Sequence, residues 1–305
     1  MSRLRRLCKP FGSSDARPAA RNAQLGVQAL GDRLVPSATF TENLTAHTVT
    51  VTAAPGQHND TVAVTNDGDG NLTVTADGVT RTFAHVSRLE VFTDNGADTV
   101  TYTQGSAGHE ADTHRSFTLW VELTGTGGDE ADDRFTADVF GDVGKYRNGV
   151  WEPKVLSLNV EGGWGDDRID FHFHDTDVHA GSTLKVYAYG DDGFDAITLD
   201  MDGEVDGKVA LNIRGGVSDD SIAVNLLLDA GSTGSVGDAN TPARVRGDEY
   251  SDHLLFAVRQ AAGSHARVSA LVDGGVGFLG WPDDNFGQHT ANVRTAWLQH
   301  DTVIT

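Results

Sequence analysis

The stretch LSLNVEGGWGDDRIDFHF, residues 156–173, constrains this chain more than any other feature. Leu156, Leu158 and Val160 alternate with polar residues, and Ile169, Phe171 and Phe173 do the same. A turn rich in Gly and Asp separates the two runs. The pattern returns about eight times along the 305 residues. Aligned on the last Asp before each second run, the copies fall at Asp60, Asp98, Asp133, Asp167, Asp195, Asp220, Asp252 and Asp284, spaced 25 to 38 residues apart.

Side chains alternate across a strand, so apolar positions at period two face one side. One strand–turn–strand unit cannot bury that face alone, but stacked units share a continuous core. Gly supplies positive φ in the turns and Asp bonds its own backbone there. The expectation is an all-β fold with minimal helix. It is a β-solenoid, in the form of a right-handed parallel β-helix with about eight degenerate coils. A β-propeller and an antiparallel β-sandwich are the alternatives. The first copy carries an extra hairpin, with Asp77-Gly78 between Leu72/Val74 and Val79/Phe83. The eighth copy is weak, with Phe286 and little else after its turn, as an irregular terminal repeat would be.

Charge divides the chain in two. Residues 1–35 hold seven Lys/Arg against two Asp, whereas the remainder holds 16 basic against 42 acidic residues. So acidic a body repels a phosphate backbone, which argues against nucleic acid as a partner and in favour of cations. Cys8 is the single cysteine, which excludes an intramolecular disulfide and a thiolate zinc site. No run of 18 apolar residues suggests a transmembrane segment. Residues 1–36 read as a basic, disordered targeting segment, and 41–305 as the repeat domain. Within 27–40, Leu30, Asp32, Arg33, Leu34, Val35, Pro36 and Ser37 resemble the "LEDRLVPS"-type segment that heads many exported or surface proteins of planctomycete bacteria. That resemblance implies a secreted or cell-surface protein.

Gly162-Gly163-Trp164-Gly165-Asp166-Asp167-Arg168-Ile169-Asp170 fits the nonapeptide G-G-x-G-x-D-x-U-x. It resembles the calcium-binding repeat of RTX, or hemolysin-type, proteins. Gly215-Gly216-Val217-Ser218-Asp219-Asp220-Ser221-Ile222 departs from it at Ser218, and Gly127-Gly128-Asp129-Glu130 begins a copy with an insertion. The nonapeptide occurs once per repeat here, not in tandem, so calcium rests on stacking instead. Equivalent carboxylates ~4.8 Å apart repel by about 0.9 kcal/mol per pair even in bulk water. Calcium takes 6–8 oxygen ligands of the kind such turns offer. The candidate calcium ligands are Asp132, Asp133, Asp166, Asp167, Asp191, Asp192, Asp195, Asp219 and Asp220. In the competing reading each Asp only closes its turn on backbone N–H groups.

Three further constellations stand apart. His172, His174, Asp175, Asp177 and His179 offer imidazole and carboxylate ligands for zinc or another transition metal. Asp167 with Arg168 is a superficial analogue of the calcium-plus-base arrangement of β-helix polysaccharide lyases. Trp120 is placed to face outward, where it could stack on a sugar. No G-x-S-x-G, H-E-x-x-H or P-loop motif occurs. The reading that fits best is a non-enzymatic, exported, calcium-binding solenoid with a structural or adhesive role. The alternatives are a β-helix enzyme acting on polysaccharide and a carbohydrate-binding module; a polysaccharide or cell-surface matrix would be the partner.

Overall fold

The computed structural model describes residues 38–53, 59–123, 131–250 and 252–274. The segment 1–36, Gly127-Gly128-Asp129-Glu130, Asp284 and Phe286 lie outside these. In chain order the strands are β1 (Ala38–Asn43), β2 (Thr48–Ala53), β3 (Thr61–Asn66), β4 (Leu72–Ala76), β5 (Val79–Phe83), β6 (Arg88–Phe92) and β7 (Thr99–Gln104). They continue as β8 (Phe117–Glu122), β9 (Arg134–Phe140), β10 (Lys145–Arg147), β11 (Val150–Glu152), β12 (Val155–Trp164) and β13 (Arg168–His174). The rest are β14 (Thr183–Asp192), β15 (Ala196–Gly203), β16 (Lys208–Val217), β17 (Ser221–Leu228), β18 (Ser235–Val236), β19 (Ala243–Glu249), β20 (His253–Gln260), β21 (Arg267–Val268) and β22 (Ala270–Asp273). There is no helix among the described residues, and hence none long and apolar enough to cross a membrane.

Two large sheets account for nearly all of these strands. The first runs β1-β2-β6-β8-β12-β14-β16 and then divides, with β18-β21 and β19-β22 both continuing from β16. The second runs β20-β17-β15-β13-β9-β7-β3-β4-β5. The chain alternates between them: β2 leads to β3, β6 to β7, β8 to β9, β12 to β13, β14 to β15, β16 to β17, and β19 to β20. Each strand pairs in parallel with its counterpart one repeat away, as Leu156 does with Phe117 and Leu184, and Ile169 with Phe135 and Ile197. These parallel registers are compatible with a β-solenoid. They are at odds with the propeller and the sandwich, both built from antiparallel strands.

The alternation seen in the sequence sets the core. Val49/Val51, Leu89/Val91, Leu119/Val121, Leu156/Leu158/Val160, Val186/Ala188 and Leu211/Ile213 face inward from the first sheet. Val62/Val64, Val100/Tyr102, Phe135/Ala137/Val139, Ile169/Phe171/Phe173, Ile197/Leu199 and Ile222/Val224 meet them from the second. Aromatic residues also pack against one another between neighbouring repeats, with the Phe135 and Phe171 rings 5.4 Å apart and tilted by 52°. Sealing such side chains from water contributes about 1.5–3 kcal/mol each.

Among the described strands, antiparallel pairing occurs in three places. β1 caps β2, and β4–β5 cap β3, at the start of the two sheets. In β4–β5 the turn residues Asp77 and Gly78 both have positive φ, 46° and 80°, as a two-residue hairpin of the favoured hand needs. The third place, the β10–β11 hairpin, is one the repeat alignment does not anticipate. Its turn, Asn148-Gly149, also takes positive φ at both residues, 53° and 81°.

Candidate functional site

The two sheets meet at a corner where each first-sheet strand turns into its second-sheet partner. Asp60, Asp98, Asp133, Asp167, Asp195, Asp220 and Asp252 line that corner, none more than 5% exposed. Their parity explains the burial: Asp167 lies two residues before the inward Ile169, and Asp195 two before the inward Ile197.

The column is an unbroken ladder. The Asp60 N–H donates to Asp98 Oδ1 at 2.7 Å, Asp98 N–H to Asp133 Oδ1 at 2.7 Å, and Asp133 N–H to Asp167 Oδ1 at 2.8 Å. Asp167 N–H then donates to Asp195 Oδ1 at 2.8 Å, Asp195 N–H to Asp220 Oδ1 at 2.9 Å, and Asp220 N–H to Asp252 Oδ1 at 2.9 Å. Each carboxylate from Asp98 to Asp252 thereby satisfies a buried backbone donor of the preceding repeat, one that would otherwise be left unpaired inside the protein.

A glycine column makes room for the other carboxylate oxygen. Gly162, Gly190, Gly215 and Gly247 occupy equivalent positions of β12, β14, β16 and β19. A Cβ on Gly190 would collide with Asp195 Oδ2, and one on Gly215 with Asp220 Oδ2. In Asp60, Asp167, Asp195 and Asp220 this Oδ2 is buried and accepts no hydrogen bond. Burial opposes the charged form. It pushes the carboxyls of Asp60, Asp167 and Asp220 up to about 7, and that of Asp195 to about 8.

A second, exposed row runs beside the first. Asp132 Oδ1 accepts the Asp166 N–H at 3.2 Å, and Asp166 Oδ1 accepts the Phe194 N–H at 2.9 Å. Here the carboxylate serves the following repeat, so the two rows point in opposite directions along the stack. The nine candidate ligands therefore divide. Asp133, Asp167, Asp195 and Asp220 are enclosed in the inner ladder, whereas Asp132, Asp166, Asp191, Asp192 and Asp219 are exposed. Asp191 takes a φ of 78°, in register with Gly163 and Gly216, a backbone shape that Asp tolerates.

The chain matches no protein-family model, no curated protein and no solved structure.

The histidine-rich stretch is split by the fold. His172 and His174 stand on the outer face of the second sheet, 3.7 Å from Asp200 and 3.2 Å from Asp138 respectively. Asp177 and His179 lie past the end of β13, on another side of the repeat, where Asp142 of the preceding repeat joins them. The signal for Asp142 is a recurring acid-Val dipeptide: Asp142-Val143, Asp177-Val178 and Glu204-Val205, whose valines bridge one another in parallel.

Asp167 and Arg168 do not converge. Asp167 points into the corner, while the exposed Arg168 binds Asp170 Oδ2 through Nε at 2.7 Å. That bond raises the guanidinium pKa and makes Arg168 a still poorer base. Trp120 faces outward as its parity predicts, with the Arg88 guanidinium 5.9 Å from its ring.

Proposed function

We propose that this chain is a non-enzymatic β-solenoid, a right-handed parallel β-helix, exported or displayed at the cell surface as a structural or adhesive element that gathers calcium along its aspartate corner. The observation that carries the reading is the Asp-to-backbone ladder, six bonds joining seven successive repeats. A rod stapled in this way needs no disulfide, in keeping with its single cysteine. Within this reading calcium belongs to the outer row. The inner carboxylates are enclosed, and each already gives one oxygen to the backbone. The outer row presents Asp132 and Asp166 on adjacent repeats and Asp219 two repeats on, with Phe194 at the intervening position and Asp191 and Asp192 beside it at the end of β14. Neighbouring strands lie about 4.8 Å apart, so charge repulsion favours uptake of a cation that accepts many oxygen ligands. Export is supported by the resemblance of residues 30–37 to a leader of surface proteins, and a matrix polysaccharide is the partner such a surface rod would meet.

Thermal melting with calcium or with chelator tests the claim. A ligand selective for the folded chain stabilises it by mass action. The melting temperature should rise by a few degrees in millimolar calcium, and Asp166→Asn should reduce the rise. Superimposable curves with and without calcium would overturn the calcium part of the reading.

A further inference from the structure

On the side of the repeat away from the aspartate corner, the chain leaves the second sheet and turns back towards the first. Asp142 follows β9 there and Asp177 follows β13. The parallel bridge between Val143 and Val178 sets these two acids one above the other. Asp142 Oδ1 accepts the Asp177 N–H at 3.2 Å, and Asp177 Oδ1 accepts the Glu204 N–H at 2.6 Å. Each carboxylate is thus oriented by one oxygen, in the way backbone partners orient metal-binding carboxylates. Asp142 Oδ2 lies 2.8 Å from His179 Nε2. One ligand atom from each of Asp142, Asp177 and His179 falls within 4.8 Å of the others.

The imidazole is held from its face. The hairpin β10–β11 interrupts the repeat directly after Val143 and Gly144, and lays the Trp151 ring on His179, centroids 3.3 Å apart and planes 15° apart. A Cβ on Gly144 would press on both rings, 3.1 Å from an atom of each. The ring plane is therefore set by packing, and Nε2 is directed at the carboxylates.

We propose that Asp142, Asp177 and His179 bind a single divalent transition-metal ion of the zinc type. Two carboxylates balance its charge, and two oxygens with one imidazole nitrogen form a donor set such ions accept. Bonds of about 2.0–2.2 Å at tetrahedral angles put ligand atoms about 3.4 Å apart. The Asp142–His179 pair is already inside that distance, so the ion replaces the proton the two now share. Calcium, which asks for 6–8 oxygen ligands, fits this trio poorly. Three protein ligands leave the fourth position open to water. This inference does not rest on the calcium reading: it uses other residues, on another side of the molecule, and another ion.

Calorimetric titration of the chelator-treated full chain with zinc chloride tests it. The expected result is uptake of one ion per chain, with affinity lowered at least about tenfold in both His179→Ala and Asp142→Asn and unchanged in Glu42→Gln, an exposed acid on β1. Circular dichroism establishes that each variant is folded. Should His179→Ala fail to fold, cobalt(II) supplies a second readout on the otherwise intact chain. As a paramagnetic quencher it should dim the Trp151 fluorescence, and the effect should be missing in Trp151→Phe. Absence of zinc uptake by the wild-type chain, or uptake that survives both His179→Ala and Asp142→Asn, overturns the proposal.

Discussion

Two columns of aspartate climb this molecule on different sides, and they use the same side chain to different ends. The column from Asp60 to Asp252 is sealed, gains a link at every repeat and rests on glycine. The column through Asp112, Asp142 and Asp177 is half-buried and ends on the Glu204 backbone after three links. Its carboxylates also serve the repeat above them, not the one below. In the first column one oxygen is committed to the backbone and the other is enclosed, so the group works as a staple. In the second an oxygen of Asp142 reaches an imidazole, and the group is open to an added ion. Burial, more than residue type, separates the two roles.

The comparison breaks most severely at the glycines. Gly190→Ala drives a methyl group into Asp195 Oδ2 and the Gly215 carbonyl. A loss of about 3 kcal/mol is expected, at the upper end for overpacking, read as a fall in the denaturant midpoint. A tolerated alanine would mean that the inner column is not tightly seated.

Protonation sharpens the comparison next. Asp60, Asp167, Asp195 and Asp220 titrate near 7 to 8 when folded but near 3.8 when unfolded. Between those values the folded chain holds protons that the unfolded chain has released. Their contribution to stability is therefore full below about pH 4 and is lost as the pH rises through 7 to 8. In chelator, the melting temperature should fall by about 5 °C or more between pH 5 and pH 8.5. Asp195→Asn keeps an acceptor for the Asp167 N–H while removing one titrating group, so its pH profile should be shallower. A wild-type profile that climbs across this range would contradict the assignment.

The smallest effect comes at Ser218. It takes a φ of 111° where the equivalent Gly165 and Gly193 have 127° and 141°. Ser218→Gly should relieve this strain and raise stability by about 1 kcal/mol. An unchanged or lower melting temperature would show that the serine makes a compensating contact.

Much of this architecture was legible in the sequence because period-two alternation fixes which side chains face inward. The strands of seven repeats and the alignment of Asp60 through Asp252 follow from it directly. The same parity also separates the enclosed Asp167 from the exposed Asp166, a distinction hidden when both are read only as acidic turn residues. The Asn148-Gly149 hairpin is a local signal that a search for repeats passes over, since it belongs to one repeat alone. The meeting of Asp142 with His179 depends on stacking across 37 residues, and only the recurring acid-Val dipeptide hints at it.

The rungs of the inner ladder are separated by 38, 35, 34, 28, 25 and 32 residues, yet every one is in place. Part of the difference in length is accommodated elsewhere in the circuit, and β10–β11 is one visible example. A foreign peptide grafted at the tip of that hairpin, beside Asn148, should be carried on the outside of the stacked repeats without disturbing their register. The acidic corner itself takes up added residues ahead of its rung: 12 positions separate Val121 from Asp133 where 7 separate the paired Val160 from Asp167, and the ladder bond between the two aspartates is kept.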